Sequence, residues 1–221
     1  MQPQTLDYQS LKTRHREVRD AFPISLSLRT HRALSWLQRA ELEAEDGDAR
    51  FIFLWIAFNA AYANELDDRQ SFTARRVFNE FLGKLIALDS DQLLYRAVWD
   101  QFTGPIRLLI DNRFVFQPFW DHHNGREGSA DWEARFSKSK GAAHRALGRM
   151  DTLTVLGVTF ERLYVLRNQL IHGGATWNSQ VNRRQIADGA AILGVLVPVI
   201  IHLMMESPNE LWGEACYPVV E

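Results

Sequence analysis

The sequence holds a single cysteine, Cys216, among 221 residues. One thiol excludes an intramolecular disulfide and a cysteine-rich zinc site. The core must therefore be held by packing, which a chain of this length can achieve unaided. A lone cysteine also suits a reducing compartment, so a cytoplasmic location is expected. Alternating polar and β-branched runs bounded by turn dipeptides are scarce, which argues against a sheet. Charge of one sign is lacking too: 25 Lys and Arg face 27 Asp and Glu, for a net charge of −2. The general basic excess of many nucleic-acid binders is therefore missing, and any phosphate binding has to come from a local patch. Gly173-Gly174 lacks the lysine and the preceding strand of a phosphate loop. There is no Gly-x-Ser-x-Gly nucleophile elbow. The stretch Met1-Gln2-Pro3-Gln4 shows no charged region followed by an apolar run, so no secretory signal is expected.

What the chain does contain is an ordinary globular composition, 46% hydrophobic and 24% charged, which leaves no room for long disordered regions. No internal repeat, low-complexity linker or composition shift is visible. One domain over residues 1–221 is the simplest reading, with a core over 25–205 and an extended tail over 206–221. Gly189 to Met205 carries no charge, but it falls slightly short of the roughly 20 residues of a membrane span. It also contains Pro198 and His202, and it reads as a buried core helix rather than a span, so no membrane partner is expected.

Helical periodicity is widespread. Residues 6–20 form a polar helix ending before Pro23, and Leu26 to Ala44 a second one, broken by Glu45-Asp46-Gly47-Asp48. Phe51 to Asn64 is apolar on nearly all sides and must be buried on most faces; Asn59 within it needs a partner if buried. Ser71 is the expected N-cap of a helix over Phe72 to Leu88. Another helix opens at Asp89-Ser90 and runs to about Thr103, where Gly104-Pro105 kinks or stops it. Residues 112–128 read as irregular. Ser129 to Met150 is a basic helix with a break at Gly141. Asp151 or Thr152 caps the next helix, which runs to His172 and is stopped by Gly173-Gly174. A last helix spans Ser179 to Met205. The expected class is all-α, a multi-helix bundle with an irregular insertion near 112–128.

Chemistry concentrates in Arg167-Asn168-Gln169-Leu170-Ile171-His172. Successive helical residues are about 100° apart, so Asn168 and His172 share a face. Arg167 is rotated away, but its side chain is long and the glycines free the helix end from ideal geometry. Arginine binds phosphate through two parallel hydrogen bonds. Histidine exchanges a proton near neutral pH, and asparagine can orient either neighbour. If the attacking group is the 2′-hydroxyl of RNA, the protein needs no nucleophile, metal or cofactor. On spacing alone, a cation and a histidine capping helix carbonyls is the more ordinary explanation.

This pattern of Arg, a polar residue, three further residues and His-Gly at a helix end resembles the motif of HEPN domains. Leu163-Tyr164 before it and the apolar Trp55-Ile56-Ala57-Phe58-Asn59-Ala60-Ala61-Tyr62 helix upstream agree with stand-alone members. The resemblance implies a helical bundle, homodimerisation with two motifs facing each other, and metal-independent endoribonuclease activity. It implies Arg167 at the scissile phosphate, His172 as general base or acid, and Asn168 positioning them. Products would carry 2′,3′-cyclic phosphate and 5′-hydroxyl ends. Relatives of this kind act as toxins or anti-phage effectors, with an antitoxin or a nucleotidyltransferase as possible partner. Others are non-catalytic modules that bind RNA, nucleotide or protein.

Arg135, Lys138, Lys140, Arg145 and Arg149 form an acid-free run that is either a solvated helix face or an RNA-binding surface. Trp177, five residues past the motif, packs locally or stacks on a base. Asp121-His122-His123 invites a metal reading, but a site needs three or four suitably spaced ligands and no partner stands nearby. Exposed loop histidines are the expectation there, and His144 is read as solvated.

Overall fold

The computed structural model describes residues 6–62, 72–180 and 182–213. Ser71, Cys216 and the far end of the expected extended tail lie outside them. Among the described residues there are ten α-helices and no strand. The class is all-α, as the periodicity predicts. In chain order the helices are α1 (Tyr8–Val18), α2 (Ile24–Glu41), α3 (Gly47–Tyr62), α4 (Phe72–Leu88), α5 (Leu93–Arg96), α6 (Thr103–Asp111), α7 (Gln117–His123), α8 (Trp132–Gly148), α9 (Thr152–Ile171) and α10 (Arg183–Glu206). The chain divides into two compact units, Met1–Leu93 with Gly189–Glu221, and Leu94–Asp188.

In the first unit, α3 has apolar residues around most of its circumference, and the fold buries Phe51, Leu54, Trp55, Ala57, Phe58, Ala61 and Tyr62. Its largest neighbour is α2, which turns Ala33, Leu34, Leu37 and Ala40 inward. Asn59 is only half-buried, which relaxes its need for an internal partner. A helix leaves its last carbonyls unpaired, and here a buried cation answers them. Arg29 donates from Nη1 to the Ala61 carbonyl at 2.9 Å and from Nε to the Gly213 carbonyl at 3.2 Å. Ile192, Leu193, Leu196, Val197, Ile200, Ile201 and Met204 of α10 complete this core. The whole of α10 is long and apolar enough to cross a membrane, and most of its apolar stretch is buried inside the fold. Arg14 on α1 clasps Glu206 through two bonds of 2.7 and 2.9 Å.

The second unit departs from the sequence reading in four places. Gly104-Pro105 does not end a helix. Instead, α6 begins at Thr103, and a proline in the first turn costs no hydrogen bond. Before it, Ala97–Gln101 forms a π-helical turn, closed by the Thr103 hydroxyl donating to the Val98 and Trp99 carbonyls. Residues 112–128 are not irregular throughout. Asn112 caps a 3-10 turn at Arg113–Val115 by accepting from the Phe114 amide at 2.8 Å. Pro118 sits in the first turn of α7. Helix α8 passes through Gly141 unbroken, and α10 starts at Arg183 rather than Ser179.

His15 of α1 is 2% exposed, and neither ring nitrogen has a partner among the described residues. Burial, reinforced by Lys12, Arg19 and His31, pushes its pKa down to about 4. Above the ordinary value of about 6.5 both folded and unfolded states are neutral there. As pH falls from about 6.5 towards 4, the unfolded chain takes up a proton that the folded one refuses, and stability declines. His15→Leu should remove this share of the acid sensitivity. In thermal unfolding at pH 7 and pH 5 the drop in Tm should be smaller for the variant, and equal drops would show that His15 contributes nothing.

Candidate functional site

Helix α9 carries the Arg167–His172 segment, and side chains fix both of its ends. At its start Asp151 accepts from the Thr154 amide at 3.0 Å and from the Thr154 hydroxyl at 2.7 Å. The Trp99 indole donates to the Thr152 hydroxyl at 2.9 Å. Val155, Leu156, Phe160, Leu163 and Leu166 then pack inward. At its end the Gly173 amide bonds to the Leu170 carbonyl and the Gly174 amide to the Gln169 carbonyl at 2.7 Å. These nested bonds are a Schellman closure. Gly173 has φ +70°, a conformation that costs other residues strain. A Cβ on Gly174 would lie 3.1 Å from the Gln169 carbonyl oxygen.

The closure leaves His172 at the exposed C-cap. Its amide donates to the Asn168 carbonyl at 3.0 Å. The Asn168 side chain turns to the other expected partner, accepting from Arg167 Nη1 at 2.9 Å. Asn168 therefore touches both residues, Arg167 through its amide group and His172 through its backbone. Arg167 is half-buried, and its Nε is buried without a partner among the described residues.

Sequence reasoning missed Gln169. Its Nε2 donates to the Phe114 carbonyl, and its Oε1 accepts from Asn182 Nδ2 at 2.6 Å. One side chain thus ties the last turn of α9 to the Arg113–Val115 turn and to the segment entering α10. The available signal was a polar residue three before His172, on the same face of the helix.

Of the basic run on α8, Arg135, Lys138, Arg145 and Arg149 are exposed. Their spacings of three, seven and four residues put them on one face, in a stripe about 21 Å long at 1.5 Å per residue. Lys140 is separated from them. Its Nζ and His144 Nε2 meet Asp111 of α6 at 3.1 and 2.7 Å. Burial pushes the Asp111 carboxyl up, but the bonds from His144 and Lys140 outweigh it and hold the pKa below the usual range. His144 is thus half-buried and engaged rather than simply solvated. Arg162 on α9 is buried under the rings of Phe116 and Phe136, 4.6 and 5.8 Å from its guanidinium. It donates to the Ser139 hydroxyl at 3.2 Å, and burial lowers its pKa to about 10. Trp177 is 74% exposed. Asp121-His122-His123 lies on α7 rather than in a loop. Asp121 accepts from Gln117 and Arg126 at 3.0 Å each. His123 Nδ1 lies 2.8 Å from the Phe119 carbonyl, and its ring covers that of Phe119 at 4.1 Å.

No family model matches this chain, and no curated protein or solved structure matches it.

The closure of α9 sets a stability test. Gly173→Ala should lower the unfolding free energy by about 1–2 kcal/mol, the cost of a left-handed conformation with a side chain. Gly173→Asn should cost less. Urea unfolding measures both, and an alanine variant as stable as the parent would mean that the turn relaxes without penalty.

Proposed function

We propose that this chain is a metal-independent endoribonuclease of the HEPN type. The observation that carries the reading is the bond from Arg167 to the Asn168 side chain one turn before His172, which stands exposed at the helix C-cap. It brings a fixed cation and an exposed proton-transfer group to one helix end. In this mechanism His172 takes the proton of an RNA 2′-hydroxyl, and the oxygen attacks the adjacent phosphorus. The bond to the 5′-oxygen breaks, that oxygen takes a proton from water, and His172 returns its own proton to the solvent. Arg167 balances the charge that builds on the phosphoryl oxygens. The products are a 2′,3′-cyclic phosphate and a 5′-hydroxyl. The exposed α8 stripe supplies phosphate contacts that a net charge of −2 does not otherwise provide. A homodimer would present two such helix ends to one RNA, and the exposed Ile171 beside His172 offers apolar surface for that contact. The biological setting that fits is a toxin or an anti-phage effector.

One observation favours a second reading, a non-catalytic HEPN module for RNA, nucleotide or a protein partner such as a nucleotidyltransferase. Arg167 is half-buried and bonded to its own neighbour, as a structural cap would be.

Purified protein incubated with total RNA in excess EDTA should cleave it and leave cyclic phosphate ends. His172→Ala should slow cleavage by about 10²–10⁴-fold, the usual worth of a general acid or base. If neither protein cleaves although both are folded, the ribonuclease reading falls and the second reading takes its place.

A further inference from the structure

Phe114 is a large apolar side chain left 42% exposed, yet side chains hold its backbone at both the amide and the carbonyl. Asn112 Oδ1 accepts from its amide at 2.8 Å, and its carbonyl accepts from both Trp120 Nε1, at 2.8 Å, and Gln169 Nε2. Its ring meets that of Phe119 edge-on at 5.3 Å. The neighbouring Arg113 is exposed and lays its guanidinium over the Phe114 ring, 5.1 Å from the centroid. Among the described residues, the contacts of that guanidinium are the rings of Phe114 and Phe119 rather than a carboxylate. The result is a cation and an aromatic face, stacked, fixed and open to solvent.

The position of this stack follows from Gln169. On a helix, residues three apart are neighbours, whereas residues two apart lie about 200° apart. Gln169 is three residues before His172 and two after Arg167. The bond from Gln169 to the Phe114 carbonyl therefore sets Arg113 and Phe114 on the His172 side of the helix end. A single-stranded nucleic acid is held by two things, stacking of bases on aromatic or guanidinium planes and cations along the phosphates. Arg113 and Phe114 offer both in one turn.

We infer that Arg113 and Phe114 form a subsite for one nucleotide of single-stranded RNA next to the bond cleaved at His172, with its base added to the stack and its phosphate bound by Arg113. This rests on the ribonuclease reading above and adds to it where the flanking nucleotide lies. Gln169 is the positioning residue that keeps the subsite in register with His172.

The test separates binding from cleavage. A fluorescent 2′-O-methyl oligonucleotide, which cannot be cleaved by 2′-oxygen attack, is titrated by anisotropy against wild type, Phe114→Ala, Phe114→Trp and Arg113→Gln. Phe114→Ala should weaken binding on the order of ten-fold, the loss of one stacked base. Phe114→Trp should restore it and give an indole emission that the oligonucleotide quenches. Arg113→Gln should weaken binding and flatten its dependence on salt. Cleavage of unmodified RNA in EDTA is followed in parallel. If the oligonucleotide binds through Phe114 but RNA stays intact, the subsite stands and the ribonuclease reading falls. If RNA is cleaved and Phe114→Ala changes neither binding nor KM, the subsite is overturned and the ribonuclease reading stands. If wild type binds no RNA, or only a protein partner competes for this surface, both are overturned.

Discussion

The carbonyls in the last turn of α9 have no partners within the helix, and how they are satisfied decides what this end of the chain can do. Two are taken by the amides of Gly173 and Gly174. That nested closure needs a left-handed residue at 173 and close backbone approach at 174, and glycine meets both demands. With the backbone paired in this way, Arg167 is not required as a cap, and its guanidinium is available to Asn168. His172 is left as the final residue before the chain reverses. The site is thus a by-product of ending a helix cleanly, with the polar groups that remain gathered where the backbone turns away.

Arginines that meet neutral oxygens and rings recur among the described residues. Arg29 bonds to two carbonyls, Arg162 meets two rings and a hydroxyl, and Arg113 meets two rings. Guanidinium suits this use because it is planar, weakly hydrated and rich in donors. The two buried ones are tied into their cores. Arg113, built from the same kind of contact, stays at the surface, and that difference in exposure separates a brace from a surface that a ligand can reach.

Much of the helical order was legible in the sequence because the signals are local. Asp151 followed by an apolar repeat, and two glycines after His172, mark the ends of α9 within a few residues of themselves. The all-round apolar character of Phe51–Tyr62 announces a buried helix for the same reason. The rest depends on partners far along the chain. Gln169 looked like a spacer within the motif because Phe114 and Asn182 lie 55 and 13 residues away. Lys140 looked like one of five equal cations until Asp111, on another helix, drew it aside. Gly104-Pro105 reads as a kink or a stop because a proline favours the start of a helix as readily as the end of one. Nothing in Ala97–Gln101 advertises a π turn, which holds its shape through the Thr103 hydroxyl.

That π turn also reaches into the mechanics of α9. Trp99, within it, bonds to Thr152 at the first turn of α9, while Gln169 is tied to Phe114 at the last. The two ties stand about 25 Å apart along the helix, with a packed apolar flank between them. A rod held at both ends and packed along one side resists rotation about its axis and sliding along it. In the proposed ribonuclease, α9 would be the fixed datum for the RNA rather than a moving part.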